Sequence, residues 1–342
     1  MKPIDCIPIL LRLGRRLRDH VLETMRQSDA ARLERLARPS HLPGEAEAGD
    51  ISYAIDRVGE GELVRLVEEE FSGRCGVTLI AEGIRGVEGL CVGPARARSE
   101  SVRLIVDPID GTRGLMTQKR SAWVLCGLAP DRGPATTLRD IIAAAQIEIP
   151  TLKQWRADVL WATRGGGAEG EWEDVRTGER GPLPIRPSTA ETLEHGFASF
   201  ARFFPGARDV LARIEEEWLR EVVGPPPVGR AIVFEDQYIS TGGQLYEMMM
   251  GHDRFIADVR PLMNPVLDAR GFPRILCCHP YDLAAVLVAE EAGVVITDAG
   301  GRPLDAPLDT ETECSWIAYA NTTLRRAVEP PLLKRLGERI TE

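Results

Sequence analysis

The stretch Asp107-Pro108-Ile109-Asp110-Gly111-Thr112 follows directly on the apolar run Val102-Arg103-Leu104-Ile105-Val106. The run reads as a buried strand, so two carboxylates separated by Pro-Ile arrive at a strand end. Hard divalent cations take oxygen ligands, and two Asp on a tight turn can bridge a pair of them. Pro108 fixes one backbone dihedral and Gly111 permits a sharp bend. The carbonyl of Ile109 is a further oxygen ligand, and the Thr112 hydroxyl can orient a water. These groups suit metal-assisted attack on a phosphate ester. Asp and Gly beside Pro are also ordinary turn chemistry. The full six-residue string after a strand points beyond a turn, to a metal site.

Two more acids stand at the ends of expected elements. Glu82 closes the run Thr78-Leu79-Ile80-Ala81, and strand-end carboxylates gather at functional sites. Asp282 stands at the start of an expected helix, where an acid also serves as a cap or dipole partner. Ser240-Thr241-Gly242-Gly243-Gln244 reads by itself as a helix cap followed by close helix packing.

In order, these segments resemble the motifs of the inositol monophosphatase superfamily, which includes fructose-1,6-bisphosphatases and phosphoadenosine phosphatases. Gly49 to Asp56 is similar to the family's early segment ending in an acid. Leu79-Ile80-Ala81-Glu82-Gly83 is similar to its Gly-Glu-Glu strand end. His279-Pro280-Tyr281-Asp282-Leu283-Ala284-Ala285, followed by Glu290-Glu291-Ala292-Gly293, is similar to its Trp-Asp-x-Ala-Ala and Glu-Ala-Gly. The resemblance spans about residues 50 to 325 and is poor from about 150 to 235.

It implies a layered αβαβα sugar-phosphatase sandwich of α/β class. The halves would be an α+β N-terminal metal-binding half, 1–165, and an α/β C-terminal substrate-side half, 185–342. It implies a Mg2+-dependent phosphomonoesterase holding two or three ions, with Mn2+ as a substitute. Glu82, Asp107, Ile109, Asp110 and Asp282 would be the metal ligands, and Glu82, Thr112 and Asp56 the catalytic groups around an attacking water. Gly111, Thr112 and Arg113 would meet the phosphate, and Ser240 and Thr241 the sugar. A homodimer is implied, with a small phosphorylated substrate and neither nucleic acid nor membrane as partner.

The departures bear on the substrate. Gly83 stands where most relatives carry a second Glu. Arg113-Gly114-Leu115 is closer to the phosphoadenosine and polyphosphate branches than to the monophosphatases. Residues 271–281 lack the acid that binds an inositol hydroxyl and carry Arg274 and His279 instead. Arg113, Lys119, Arg120 and Arg274 are therefore candidates for a second phosphate. The departures also leave open a catalytically weakened member that only binds a phosphorylated metabolite or partner.

The elements that must position these groups follow from pattern. A helix is expected over 4–37, with Leu10, Leu13, Leu17 and Val21 inward and Arg12, Arg15, Arg16 and Arg18 on a solvated face. A loop follows to Gly49, then a helix over 60–71. Strands are expected at 78–81, 102–106, 121–129 and 141–149. The stretch 164–184 is rich in Gly, Glu and Pro and is read as the boundary between the halves; Gly165-Gly166-Gly167 lacks the Lys-Ser/Thr of a phosphate loop and reads as a flexible turn. Helices at 207–223, 242–251 and 281–292 then alternate with strands at 254–259, 294–297 and 315–319, an α/β pattern.

Composition narrows the class. A net charge of -10 over 342 residues disfavours a basic nucleic-acid surface but not an anionic substrate, since bound cations invert the local field. Seven cysteines, an odd number without zinc or disulfide spacing, read as reduced thiols. With no signal-like or membrane-length apolar run, they point to a soluble cytoplasmic protein.

Overall fold

The computed structural model describes residues 3–27, 54–72, 74–84, 89–92 and 101–340. Gly49–Tyr53 of the early segment, the loop before it and the end of the expected first helix lie outside the described residues. Two sheets form the frame. The first runs β2-β1-β3-β4-β5-β6-β7-β8. Its strands are β1 (Gly76–Ala81), β2 (Leu90–Val92), β3 (Ser101–Asp110), β4 (Ala122–Pro130), β5 (Ala143–Ile149), β6 (Arg156–Thr163), β7 (Gly167–Asp174) and β8 (Arg180–Pro182). Strands β1 and β3 are parallel and the other neighbours antiparallel.

The second sheet runs β10-β9-β11-β13-β12. It is built from β9 (Gly196–Phe200), β10 (Val233–Phe234), β11 (Asp253–Asp258), β12 (Val295–Thr297) and β13 (Trp316–Tyr319).

Helices fill the layers. α1 (Pro3–Arg26) and α2 (Ala54–Phe71) cover the outer face of the first sheet; α3 (Thr112–Met116) is a short turn after β3. α5 (Thr241–Met249) and α7 (Val286–Ala292) lie between the sheets. α4 (Arg208–Val222) and α8 (Thr322–Ile340) cover the far side of the second, and α6 (Asn264–Ala269) follows β11. The result is a five-layered αβαβα sandwich. Because both faces of the first sheet are covered, β1, β3, β4 and β5 read as near-continuous apolar runs. Alternate residues still part to the two faces. Ile80, Ile105 and Leu125 join the inner core, while Leu79, Leu104 and Val124 join the outer one. Among the described residues no helix is long and apolar enough to cross a membrane.

Three expectations are corrected. The stretch 164–184 holds the expected turn at Gly165-Gly166, but most of it forms β7 and β8, the edge of the first sheet. The basic face of α1 is not simply solvated. Arg18 is 1% exposed, with Nη1 and Nη2 each 3.1 Å from the Glu173 carboxylate on β7. Arg15 pairs with the same carboxylate at 3.0 Å, and Arg12 with Glu70 of α2 at 2.8 Å. These ion pairs lock α1 across the sheet. The helix expected over 281–292 is split into a 3₁₀ turn, Pro280–Leu283, and α7. Helix α8 has no counterpart in the sequence reading; its Pro330-Pro331 pair argues against a helix.

Candidate metal centre

Asp107 and Asp110 are three residues apart and would face opposite sides of a regular strand. They do not, because β3 carries a bulge. Asp107 pairs with Leu125 and Asp110 with Trp123, so three steps on β3 match two on β4. The extra residue turns both carboxylates to one side. Asp107 Oδ1 accepts from the Ile109 amide at 3.0 Å. Asp110 accepts from Ser240 Oγ at 2.8 Å and from the amides of Thr241 and Gly242 at 3.3 and 2.5 Å, so it is held at the N-terminus of α5. Ser240 is itself the N-cap of that helix, accepting from the Gly243 amide at 2.8 Å. Gly111 sits at φ 98°, and a Cβ there would come within 3.0 Å of Ser240 Cβ. The turn into Thr112 therefore requires glycine.

Asp282 arrives from the second half of the chain, within the Pro280–Leu283 turn. Its Oδ2 accepts from the His279 amide at 2.6 Å. The turn lies close on β4: a Cβ at Gly127 would be 2.4 Å from the Ala284 carbonyl oxygen. Carboxylate oxygens of Asp107, Asp110 and Asp282 thus lie within 4.8 Å of one another. Among the described residues, the only basic nitrogen within 4 Å of these three is His279 Nδ1, 3.9 Å from Asp282.

The electrostatics reflect this crowding. Burial pushes Asp107 well above the ordinary carboxylate range; Glu82, Asp110 and Asp282 push it further, against the Ile109 hydrogen bond. Asp282 is raised well above that range by burial and then by Asp110. Asp110 is raised to about 6 by burial, held down by its bonds to Gly242, Ser240 and Thr241. Two buried acids and a half-buried third, with His279 the only base within 4 Å among the described residues, cost energy in a folded chain. An all-oxygen donor set of this charge fits a hard divalent cation, and not a thiolate-loving one.

Around the acids is a cavity of about 70 Å³, room for ions and waters. Glu82, Asp56, Ile109, Gly111, Thr112, Arg113, Ser240 and Thr241 also line it. Thr112 Oγ1 lies 2.8 Å from both Asp56 Oδ1 and the Ile109 carbonyl, so its one proton serves one acceptor at a time. Gly83, at φ 76°, leaves space that the Glu60 carboxylate occupies: Glu60 Oε1 is 1.9 Å from where a Cβ would be.

Four sequence candidates stand apart from the cavity lining: Lys119, Arg120, Arg274 and His279. Arg274 is on the surface, ion-paired with Asp268 at 3.1 Å. The His279 ring stacks on Tyr281, centroids 5.3 Å apart, and it is Tyr281 that lines the cavity.

Among the lining residues that the sequence reading missed are Arg260, Phe203 and Phe204. Arg260 is 5% exposed, with Nε and Nη2 2.8 and 2.6 Å from Asp258 and Nη1 2.7 Å from the Leu276 carbonyl. It packs over Phe203 and Phe204, and Arg113 over Phe204. The signal was Asp258-Val259-Arg260 at a strand end; Phe203 and Phe204 fall in the poorly matching stretch.

No family model matches the chain. The fructose-1,6-bisphosphatase/inositol-1-monophosphatase of Methanothermobacter thermautotrophicus is 26% identical over 312 residues, 87% of this chain and 92% of that protein. The extragenic suppressor protein suhB of Bartonella henselae matches in structure with a TM-score of 0.63 at 18% identity, over 96% of this chain and 98% of its own. A fructose-1,6-bisphosphatase of Leishmania major in holo form matches with a TM-score of 0.66 at 12% identity, over 99% and 96%. This chain has the fold of the inositol monophosphatase superfamily and carries acidic motifs like that family's, in the same order.

Proposed function

We propose that the chain is a Mg2+-dependent phosphomonoesterase acting on a small phosphorylated sugar, polyol or nucleotide. The observation that carries this reading is the trio Asp107, Asp110 and Asp282, gathered within 4.8 Å on the floor of a cavity in this fold. The similarity to a fructose-1,6-bisphosphatase/inositol-1-monophosphatase supports it. Bound there, two or three Mg2+ ions, or Mn2+ in their place, supply the positive charge that phosphoryl transfer needs and acidify water.

The chain's own groups do the rest. Asp107 and Asp110, with the Ile109 carbonyl, Glu82 and Asp282, hold the ions. Thr112 takes the proton of the attacking water while passing its own to Asp56, 2.8 Å away. The amides of Gly111 and Thr112 receive phosphate oxygens. Arg113 places positive charge on the same cavity, whereas Arg260 is paired with Asp258, so a second anionic group on the substrate is favoured through Arg113 and not through Arg274.

The test is phosphate release with Mg2+ from fructose-1,6-bisphosphate, inositol 1-phosphate, phosphoadenosine phosphate and NADP. The reading expects metal-dependent release from at least one, with the bisphosphate ahead of the monophosphate and the gap narrowed by Arg113→Ala. Release that persists in EDTA would contradict the metal; an unchanged ratio in Arg113→Ala would contradict the specificity alone.

A further inference from the structure

Lys119 and Arg120, candidates for a second phosphate in the sequence, do not line the catalytic cavity. They line a separate groove of about 550 Å³, floored by Trp123 and Glu148 and bounded by Lys153, Gln154 and Tyr246. That size suits a small metabolite and exceeds a bare phosphate.

The groove's acids each have partners: Glu247 has Arg120 at 3.6 Å and His252 at 2.5 Å. Glu148 accepts from Ser121 Oγ at 2.5 Å and from the Asp158 amide at 2.9 Å. Asp158 accepts from Tyr246 Oη at 2.6 Å and Arg156 Nε at 3.2 Å. Gln154 Oε1 accepts from the Thr151 amide and hydroxyl at 3.1 and 2.9 Å. Three of the groove's donors are open to a ligand. Among the described residues the Lys119 ammonium has no ion-pair partner, and Lys153 Nζ reaches only the Gln118 carbonyl, at 3.5 Å. The Gln154 amide nitrogen makes no hydrogen bond to a described residue. Arg120 and Arg156 add positive charge that is fixed in place, the first by Asp236 and the Tyr238 ring, the second by Asp158 and the Trp172 ring. Burial also pushes Glu148 up to about 7, which removes part of the floor's negative charge near neutral pH.

A groove with partnered acids and open cationic donors is matched to an anion. We propose that it is a second, non-catalytic site for a small phosphorylated metabolite, whose phosphate is held by Lys119, Lys153 and the Gln154 amide, with its organic part beside Trp123 and Tyr246.

The experiment is calorimetric titration of the full chain in EDTA with inorganic phosphate, ribose 5-phosphate and adenosine monophosphate. Without cations the three aspartates repel phosphate, so binding reads the groove. The expected result is saturable one-to-one binding of at least one organic phosphate, tighter than inorganic phosphate. Ribose 5-phosphate ahead identifies a sugar phosphate; the nucleotide ahead identifies a base-bearing ligand. The double variant Lys119→Glu/Lys153→Glu should weaken binding about tenfold or more, while Arg113→Ala, in the other cavity, should leave it intact. Both lysines are exposed, so the fold should survive, and Lys119→Gln/Lys153→Gln repeats the test without charge reversal. The proposal is overturned by binding that ignores the lysine variants, by binding lost in Arg113→Ala, or by no binding up to about 10 mM. None of these outcomes depends on turnover, so they stand apart from the phosphatase reading.

Discussion

At the scale of single residues, the acids are set apart by chain chemistry before any metal is considered. Asp110 is tied to three donors at the start of α5 and Asp107 to one amide. Asp107→Asn should therefore cost activity roughly 10²–10³-fold or more, the scale of losing a charge-stabilising group, and weaken Mg2+ binding in calorimetry. Near-normal turnover at saturating Mg2+ would remove Asp107 from the site. Thr112→Val keeps the volume and removes the hydroxyl bonded to Asp56. It should lower kcat roughly 10²-fold with little change in KM; a change in KM alone would make Thr112 a binding residue. These residues were legible because the string from Asp107 to Thr112 encodes its own turn, and Glu82 and Asp282 end or begin recognisable segments. Arg274 misled because charge was visible in the sequence and its neutralising partner, Asp268, was not evident as a neighbour. Arg260 escaped for the converse reason: its place in the cavity depends on β11 folding against Phe203 and Phe204.

At the scale of elements, the site depends on how close two pieces of backbone come. Gly127 of β4 has no Cβ where the Ala284 carbonyl passes, and that lets the turn bearing Asp282 settle on the sheet. Gly127→Ala should destabilise the fold by roughly 1–3 kcal/mol and weaken Mg2+ binding by moving Asp282 outward. Denaturant unfolding and a Mg2+ titration check the two parts separately; unchanged Mg2+ affinity would show that the turn does not set the acid's position. The other anchoring contact is α1 to β7. Arg18→Met leaves Glu173 buried with fewer partners and should cost about 3 kcal/mol in urea unfolding without changing the cavity. Periodicity exposed the strands and the apolar stripe of α1 because both follow local repeats. It could not expose β7 and β8. Their Gly-, Glu- and Pro-rich residues read as a boundary until Arg15 and Arg18 pair with Glu171 and Glu173 across the sheet.

At the scale of the whole molecule, the fold gathers three acids whose charge a divalent cation would offset. The folded pKa values of Asp107, Asp110 and Asp282 are all raised, Asp110 to about 6 from an ordinary 3.8. Between those values the folded chain binds more protons than the unfolded one, so metal-free stability falls as pH rises through them. Thermal unfolding in EDTA should therefore show Tm dropping between about pH 4 and 7 from this cluster. Mg2+ at about 100 times its Kd should return about 2.7 kcal/mol at pH 7, and less at pH 5, where protons compete. A Tm that rises over this range in Asp107→Asn but not in the wild type would locate the effect in the cluster. The most direct test of the central claim is release of phosphate from p-nitrophenyl phosphate as Mg2+ is titrated into EDTA-stripped protein. The account predicts no release without metal, a saturable rise with Mg2+, and loss of that rise in Asp107→Asn and Asp282→Asn variants that unfold like the wild type. Release that is independent of Mg2+, or that survives in both variants, would contradict it.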